Sequence, residues 1–184
     1  MKPTKPFLLF FSAVIALSSC NNKINTESTA NTSLKNAYKG NFYIGTALDI
    51  NQIEEKDPKV TNLISKEFNA ITAENIMKSM FVHPEKDKFD FETSDKFVAF
   101  GKKHKMFIHG HTLVWHSQLP KWFSEIKDSA EMNAALENHI TTIVKKYKGQ
   151  IDSWDVVNEA VNDDGSLRKS VFLKTLGEDF IAKS

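Results

Sequence analysis

From Gly40 onward, two hydrophobic patterns alternate along the chain. Short apolar or β-branched runs predict strands at Phe42–Ala47, Phe68–Thr72, Met106–His111 and Ile151–Val157. Segments with apolar residues three and four apart lie between them and predict helices. In the first of these, Asp57-Pro58 supplies an N-cap followed by proline at the first helical position. Val60, Leu63, Ile64 and Phe68 then form its apolar face. A second helix is expected over Thr93–Lys103, with Phe97, Val98 and Phe100 inside. A third opens on Asp128 with Glu131 three residues on, the pattern of a capping box. It carries Met132, Leu136, Ile140, Ile143 and Tyr147 on one face and stops at Gly149. A fourth is expected over Leu167–Ile181.

Strands that alternate with helices imply a parallel α/β sheet, because parallel neighbours need a crossover. Four such units could build an open doubly wound sheet or the N-terminal half of a (β/α)8 TIM barrel. The polar residues favour the barrel. Glu74-Asn75, His111 and Asn158-Glu159 are each expected just past a strand's C-terminal end, the edge on which barrel active sites are assembled from several strands.

The N-terminus follows another pattern. Lys2 and Lys5 precede an apolar run, Phe7–Leu17, that is broken only by Ser12. The run is too short to span a bilayer of about 30 Å, so a cleaved export signal is expected over residues 1–20. Leu17-Ser18-Ser19-Cys20 resembles a bacterial lipobox, which makes Cys20 the expected lipidation site and mature N-terminus. The protein would then be an exported lipoprotein at the outer membrane, cell surface or periplasm, touching membrane only through that anchor. Cys20 is the single cysteine, so no intrachain disulfide can form. Residues 21–38, rich in Asn, Ser and Thr, read as a flexible tether, and the catalytic-type domain is expected over 39–184.

Composition narrows the function. The net charge of +1 rests on 24 basic and 23 acidic residues, so no basic field is available to hold a nucleic-acid backbone. No specific protein partner is implied. His109, His111 and His116 lie close in sequence, but the partners of a zinc site are not evident, and neither a metal nor a cofactor is expected.

The sharpest feature is Trp154-Asp155-Val156-Val157-Asn158-Glu159-Ala160, a strand delivering Asn-Glu at its end. Cleaving a glycosidic bond takes a carboxylic acid that protonates the departing oxygen and a second carboxylate opposite it. To hold its proton near neutral pH, the acid needs burial or a neighbouring negative charge, and both are expected around Glu159. Asn158 is placed to bond a sugar hydroxyl.

Two further segments precede it at one-unit spacings: Glu74-Asn75-Ile76-Met77-Lys78, and His111-Thr112-Leu113-Val114-Trp115-His116-Ser117-Gln118-Leu119-Pro120-Lys121-Trp122. Together the three resemble the family-10 glycoside hydrolases, endo-1,4-β-xylanases of the (β/α)8 type, and the resemblance runs from about Tyr43 to the last residue. It implies a retaining enzyme that hydrolyses internal β-1,4-xylosidic bonds of xylan, with xylan and xylo-oligosaccharides as partners. Glu159 would be its general acid/base and Asn158 the contact to the sugar 2-hydroxyl. Glu74, Asn75 and Lys78 would hold the glycone side, and His111, Trp115 and Gln118 would surround the subsite beside the scissile bond. Ser79 and Met80 depart from the tryptophan that commonly follows Met-Lys in this family, which removes one expected wall contact.

A whole barrel has eight units and about 250 residues. The family's nucleophile is a glutamate on a later strand, and no carboxylate of this chain matches it. The chain by itself is therefore expected to lack turnover. The alternatives are a non-catalytic xylan- or glycan-binding surface lipoprotein and a related barrel cellulase or mannanase.

Overall fold

The computed structural model describes residues 33–184; the expected export signal, Cys20 and most of the expected tether lie outside the described residues. Residues 33–38, the last of that tether, carry one helical turn, α1 (Leu34–Ala37), where the Leu34 amide donates to Glu67.

Four strands follow: β1 (Gly45–Leu48), β2 (Ala70–Ala73), β3 (Phe107–Trp115) and β4 (Ser153–Asn158). They pair in parallel in the order β1-β2-β3-β4, so all four C-terminal ends lie on one edge. With helices in every connection, this is the sheet expected for half of a TIM barrel. Register aligns Thr72 with His109 and His109 with Ser153, and His111 with Asp155. Side chains alternate across a strand. One face presents Thr72, His109, His111, Ser153 and Asp155. The other carries Ile71 and Ile108, which are packed against Gly101 of α5 (Glu92–Lys103). On that face Gly110 lies under the Trp154 ring so closely that a Cβ would stand 2.3 Å from a ring carbon.

The core lies between the sheet and its helices. Phe97, Val98 and Phe100 of α5 are buried there, with Met132, Leu136 and Ile143 of α7 (Ser129–Lys146), which follows the short α6 (Lys121–Glu125). Each large apolar side chain withdrawn from water stabilises the fold by roughly 1.5–3 kcal/mol. Caps follow the sequence in part. The Asp57 side chain accepts from the Lys59 amide at the start of α3 (Pro58–Glu67). Asp128 accepts from the Glu131 amide at 2.9 Å. The return bond of a full capping box is not made there, because the Glu131 carboxylate takes Lys86 Nζ at 2.6 Å instead. A complete box stands at Asp49 and Gln52, at the start of α2 (Ile50–Ile53).

Four expectations need correction. The third strand does not end at His111. It continues to Trp115, because Val114 and Trp115 pair with Val157 and Asn158 after a register shift. His111 therefore lies inside β3 rather than past its end. The expected helix over Leu167–Ile181 begins only at Val171, since Leu167 bridges back to Val161 and Ser170 caps α8 (Val171–Leu176). Gly177, at φ +74°, then separates α8 from α9 (Phe180–Lys183). Finally, of the apolar face expected on α3, Ile64 is buried while Leu63 and Val60 stay exposed.

Candidate active site

The polar residues picked out by the sequence meet at the C-terminal edge of the sheet. Asn75 and Lys78 follow β2, and Lys78 is the N-cap residue of α4 (Ser79–Val82). Trp115 closes β3 and Gln118 lies three residues on. Asn158 closes β4, and Glu159 is the next residue.

A connected polar network spans them. Lys78 Nζ donates to Asn75 Oδ1 at 2.9 Å, and Gln118 Nε2 donates to the same oxygen at 3.3 Å. The ammonium lies 4.6 Å from the centre of the Trp115 ring, a cation–π contact. Trp115 Nε1 donates to Glu159 Oε2 at 2.9 Å, and His116 Nε2 stands 4.0 Å from that oxygen. Lys78 is buried, and its pKa is drawn below that of an ordinary lysine by loss of solvent; the charges of Glu74 and Glu159 oppose the shift. Glu74 itself is exposed and faces this ammonium as a charge rather than as a hydrogen-bond partner.

Glu159 departs from expectation. Its side chain is 50 % exposed, and its partners are an indole N–H, an imidazole and an ammonium rather than a carboxylate. Among the described residues it is the only acidic one lining the small cavity that it shares with Asn158, Arg168 and Ser170. Its exposure follows from its place just past the end of β4, which has a neighbouring strand on one side only among the described residues. Its backbone sits at φ +51°, a left-handed conformation that few non-glycine residues adopt, and Gln118 does likewise at φ +46°. Such strain concentrates at functional sites and persists where the surroundings fix it. Arg168 supplies that fixing, its Nε donating to the Glu159 carbonyl at 3.0 Å. The Trp115 bond occupies Oε2, and Oε1 has no hydrogen-bond partner among the described residues.

Asp155, which enters the sequence reading only as part of the Trp154–Ala160 segment, organises the open face of the sheet. His111 Nδ1 donates to its Oδ2 at 2.8 Å, and His109 Nε2 lies 3.2 Å from the same oxygen. Burial raises the Asp155 pKa, but the His111 and His109 hydrogen bonds outweigh it and hold the carboxyl below the usual range. The Asp155 carboxylate fixes the tautomer and tilt of His111. His109 in turn accepts from Ser153 Oγ at 2.7 Å, so it is a barrel histidine engaged within the sheet.

The sequence reading missed a buried histidine pair under α4. His139 of α7 stands Nδ1 to Nδ1 with His83 at 3.0 Å and donates from Nε2 to the Leu113 carbonyl of β3 at 3.0 Å. Ser79, directly after Lys78, lies 3.5 Å from the same Nε2. The pair thereby ties the lysine-bearing segment to β3. Its one sequence signal was a histidine on the apolar face of α7, in step with Leu136 and Ile143. Burial, and then the charge of His83, push the His139 pKa down to about 3, against the Leu113 hydrogen bond. An unfolded histidine binds its proton near 6.5. The neutral buried ring therefore contributes fully above pH 6.5, and that contribution is lost as pH falls from 6.5 toward 3. At pH 5 the loss is about 2 kcal/mol. Urea denaturation at pH 7.5 and pH 5 checks this: stability should fall on acidification, and the slope should shrink in His139→Gln.

The sequence model of "Glycosyl hydrolase family 10" matches residues 33–184. Endo-1,4-beta-xylanase A of Xylanibacter ruminicola is 47% identical over 145 residues, covering 76% of this chain and 39% of that protein. Endo-1,4-beta-xylanase B of Thermotoga neapolitana is 41% identical over 150 residues, covering 80% and 43%. Among solved structures, xylanase 10B from Thermotoga petrophila RKU-1 in complex with xylobiose superposes with a TM-score of 0.78 at 41% identity, over 83% of this chain and 48% of that one. A GH10 endoxylanase from a sugarcane soil metagenome gives 0.77 at 46% identity, over 82% and 46%. The chain thus spans less than half the length of these relatives.

Proposed function

We propose that this chain, which belongs to glycosyl hydrolase family 10, carries the acid/base side of the active site of a retaining endo-1,4-β-xylanase. The observation that carries the reading is the convergence of Glu159, Trp115, Lys78, Asn75 and Gln118 in one hydrogen-bonded and cation–π network at the C-terminal edge of a parallel sheet. Donors and acceptors gathered in one network suit a ligand that presents only hydroxyls. The Trp115 ring offers a flat apolar surface to a pyranose. Glu159 Oε1 gives its proton to the departing glycosidic oxygen and later takes one from water. Substrate and the rest of the enzyme would supply the cover that Glu159 lacks among the described residues.

For the chain by itself, a second reading has support. Among the described residues Glu159 is the only acidic one lining its cavity, and a retaining glycosidase needs two carboxyl groups about 5–5.5 Å apart. The isolated chain should bind xylo-oligosaccharides without cleaving them. Calorimetric titration with xylotetraose, beside cellotetraose, tests the sugar class. Lys78→Met should weaken xylotetraose binding about 10- to 100-fold, the worth of a hydrogen bond to a charged donor. Equal affinity for both sugars, or no loss in Lys78→Met, contradicts the reading. Release of reducing sugar by the isolated chain that disappears in Glu159→Ala would show that it needs no second carboxylate from outside.

The pattern ending at Cys20 supports an exported, lipid-anchored protein. Metabolic labelling with a palmitate analogue should mark the wild type and leave Cys20→Ser unmarked.

A further inference from the structure

A groove of about 870 Å³ opens beside the cleft, between the segment that follows β3 and the one that leads into α8. Three lysines line it, Lys127, Lys169 and Lys174, and no acidic residue among the described residues does. All three are exposed, and none forms an ion pair with a described residue; Asp128, next to Lys127 in the chain, accepts from the Glu131 amide instead. Like charges gathered in one hollow repel one another unless an anion joins them. A concave wall of a single sign also focuses the field and raises the local concentration of its counter-ion. This is a local feature, because the chain as a whole carries only +1.

The groove is continuous with the catalytic region. It shares His116 and Ser170 with the cavity beside Glu159, and Gln118 with the Asn75 network. A polysaccharide lying across Glu159 would bring whatever branches from its backbone over these lysines. The anion that such a branch carries is the carboxylate of a uronic acid. We propose that Lys127, Lys169 and Lys174 bind the carboxylate of a uronic acid branch, making the protein selective for acidic over neutral xylan. The inference rests on the xylan reading above, and its test separates the two.

The full chain is titrated calorimetrically with two xylo-oligosaccharides of equal backbone length, one unbranched and one bearing a single glucuronic acid. Exposed ion pairs are individually weak, so the branched sugar should bind roughly 5-fold more tightly at low salt. That preference should vanish in the triple variant Lys127→Gln, Lys169→Gln, Lys174→Gln, and in about 1 M salt, where charges beyond about 3 Å are screened. Affinity for the unbranched sugar should not change. Circular dichroism confirms that the triple variant folds, and Lys169→Gln alone should show a partial loss. Equal affinity for both sugars in the wild type, or a preference that survives the triple substitution, overturns the groove proposal and leaves the xylan reading standing. Binding of neither sugar overturns both.

Discussion

Glu159→Gln, introduced into the enzyme that contains this chain, should lower kcat/KM on xylan by about 10²- to 10⁴-fold, the range measured for a positioned general acid. That corresponds to about 3–5 kcal/mol of transition-state stabilisation. Glutamine keeps an oxygen for the Trp115 N–H, which Glu159 accepts at 2.9 Å, so the site should keep its shape while losing its proton. The loss should depend on the leaving group. From a dinitrophenyl xylobioside the dinitrophenolate leaves without protonation, so its kcat/KM should change far less than that of xylan. An equal loss on both substrates would mean that Glu159 positions the sugar rather than protonating the oxygen.

The second large effect lies in the sheet that holds the site. Gly110→Ala places a Cβ 2.3 Å from one carbon of the Trp154 ring and 2.5 Å from the next. Trp154 is packed against the core and is Gly110's register partner on β4, so the ring or the strand must shift. Overpacking of this kind costs about 3 kcal/mol. A small domain is stable by roughly 5–15 kcal/mol in total, so the variant should unfold at visibly lower urea with an unchanged slope. Gly45→Ala is the control, since its Cβ would meet nothing nearer than 3.4 Å. The residues next to the clash, His111 and Asp155, share a 2.8 Å hydrogen bond, so Gly110→Ala should also weaken xylo-oligosaccharide binding. Matching stabilities of the two glycine variants would show that the strands separate more easily than their register implies.

Much of this was legible in the sequence. Asp57-Pro58 and Asp128 announced their helices because a short polar side chain at a helix start needs only its own backbone neighbours. The alternation of strand and helix patterns gave the parallel order, and three motifs at one-unit spacing placed Asn75, Lys78, Trp115, Gln118 and Glu159 on one edge. Long-range effects were not legible. β3 runs past His111 only because β4 lies alongside to pair with Val114 and Trp115. The left-handed backbone at Glu159 and Gln118 has no signature in residues that are not glycine. Asp155 gains its part from two histidines 44 and 46 positions earlier in the chain. The exposure of Glu159 follows from what stands beside β4, which no local pattern encodes.

The most direct test is a crystal structure of this chain with xylotriose. A sugar oxygen should lie about 2.6–3.2 Å from Glu159 Oε1, with neighbouring hydroxyls on Asn75, Lys78 and His111 and a ring against Trp115. Xylotriose bound away from these residues, or a Glu159 carboxylate turned from the Lys78–Asn75 side, would contradict the assignment of Glu159 as the proton donor.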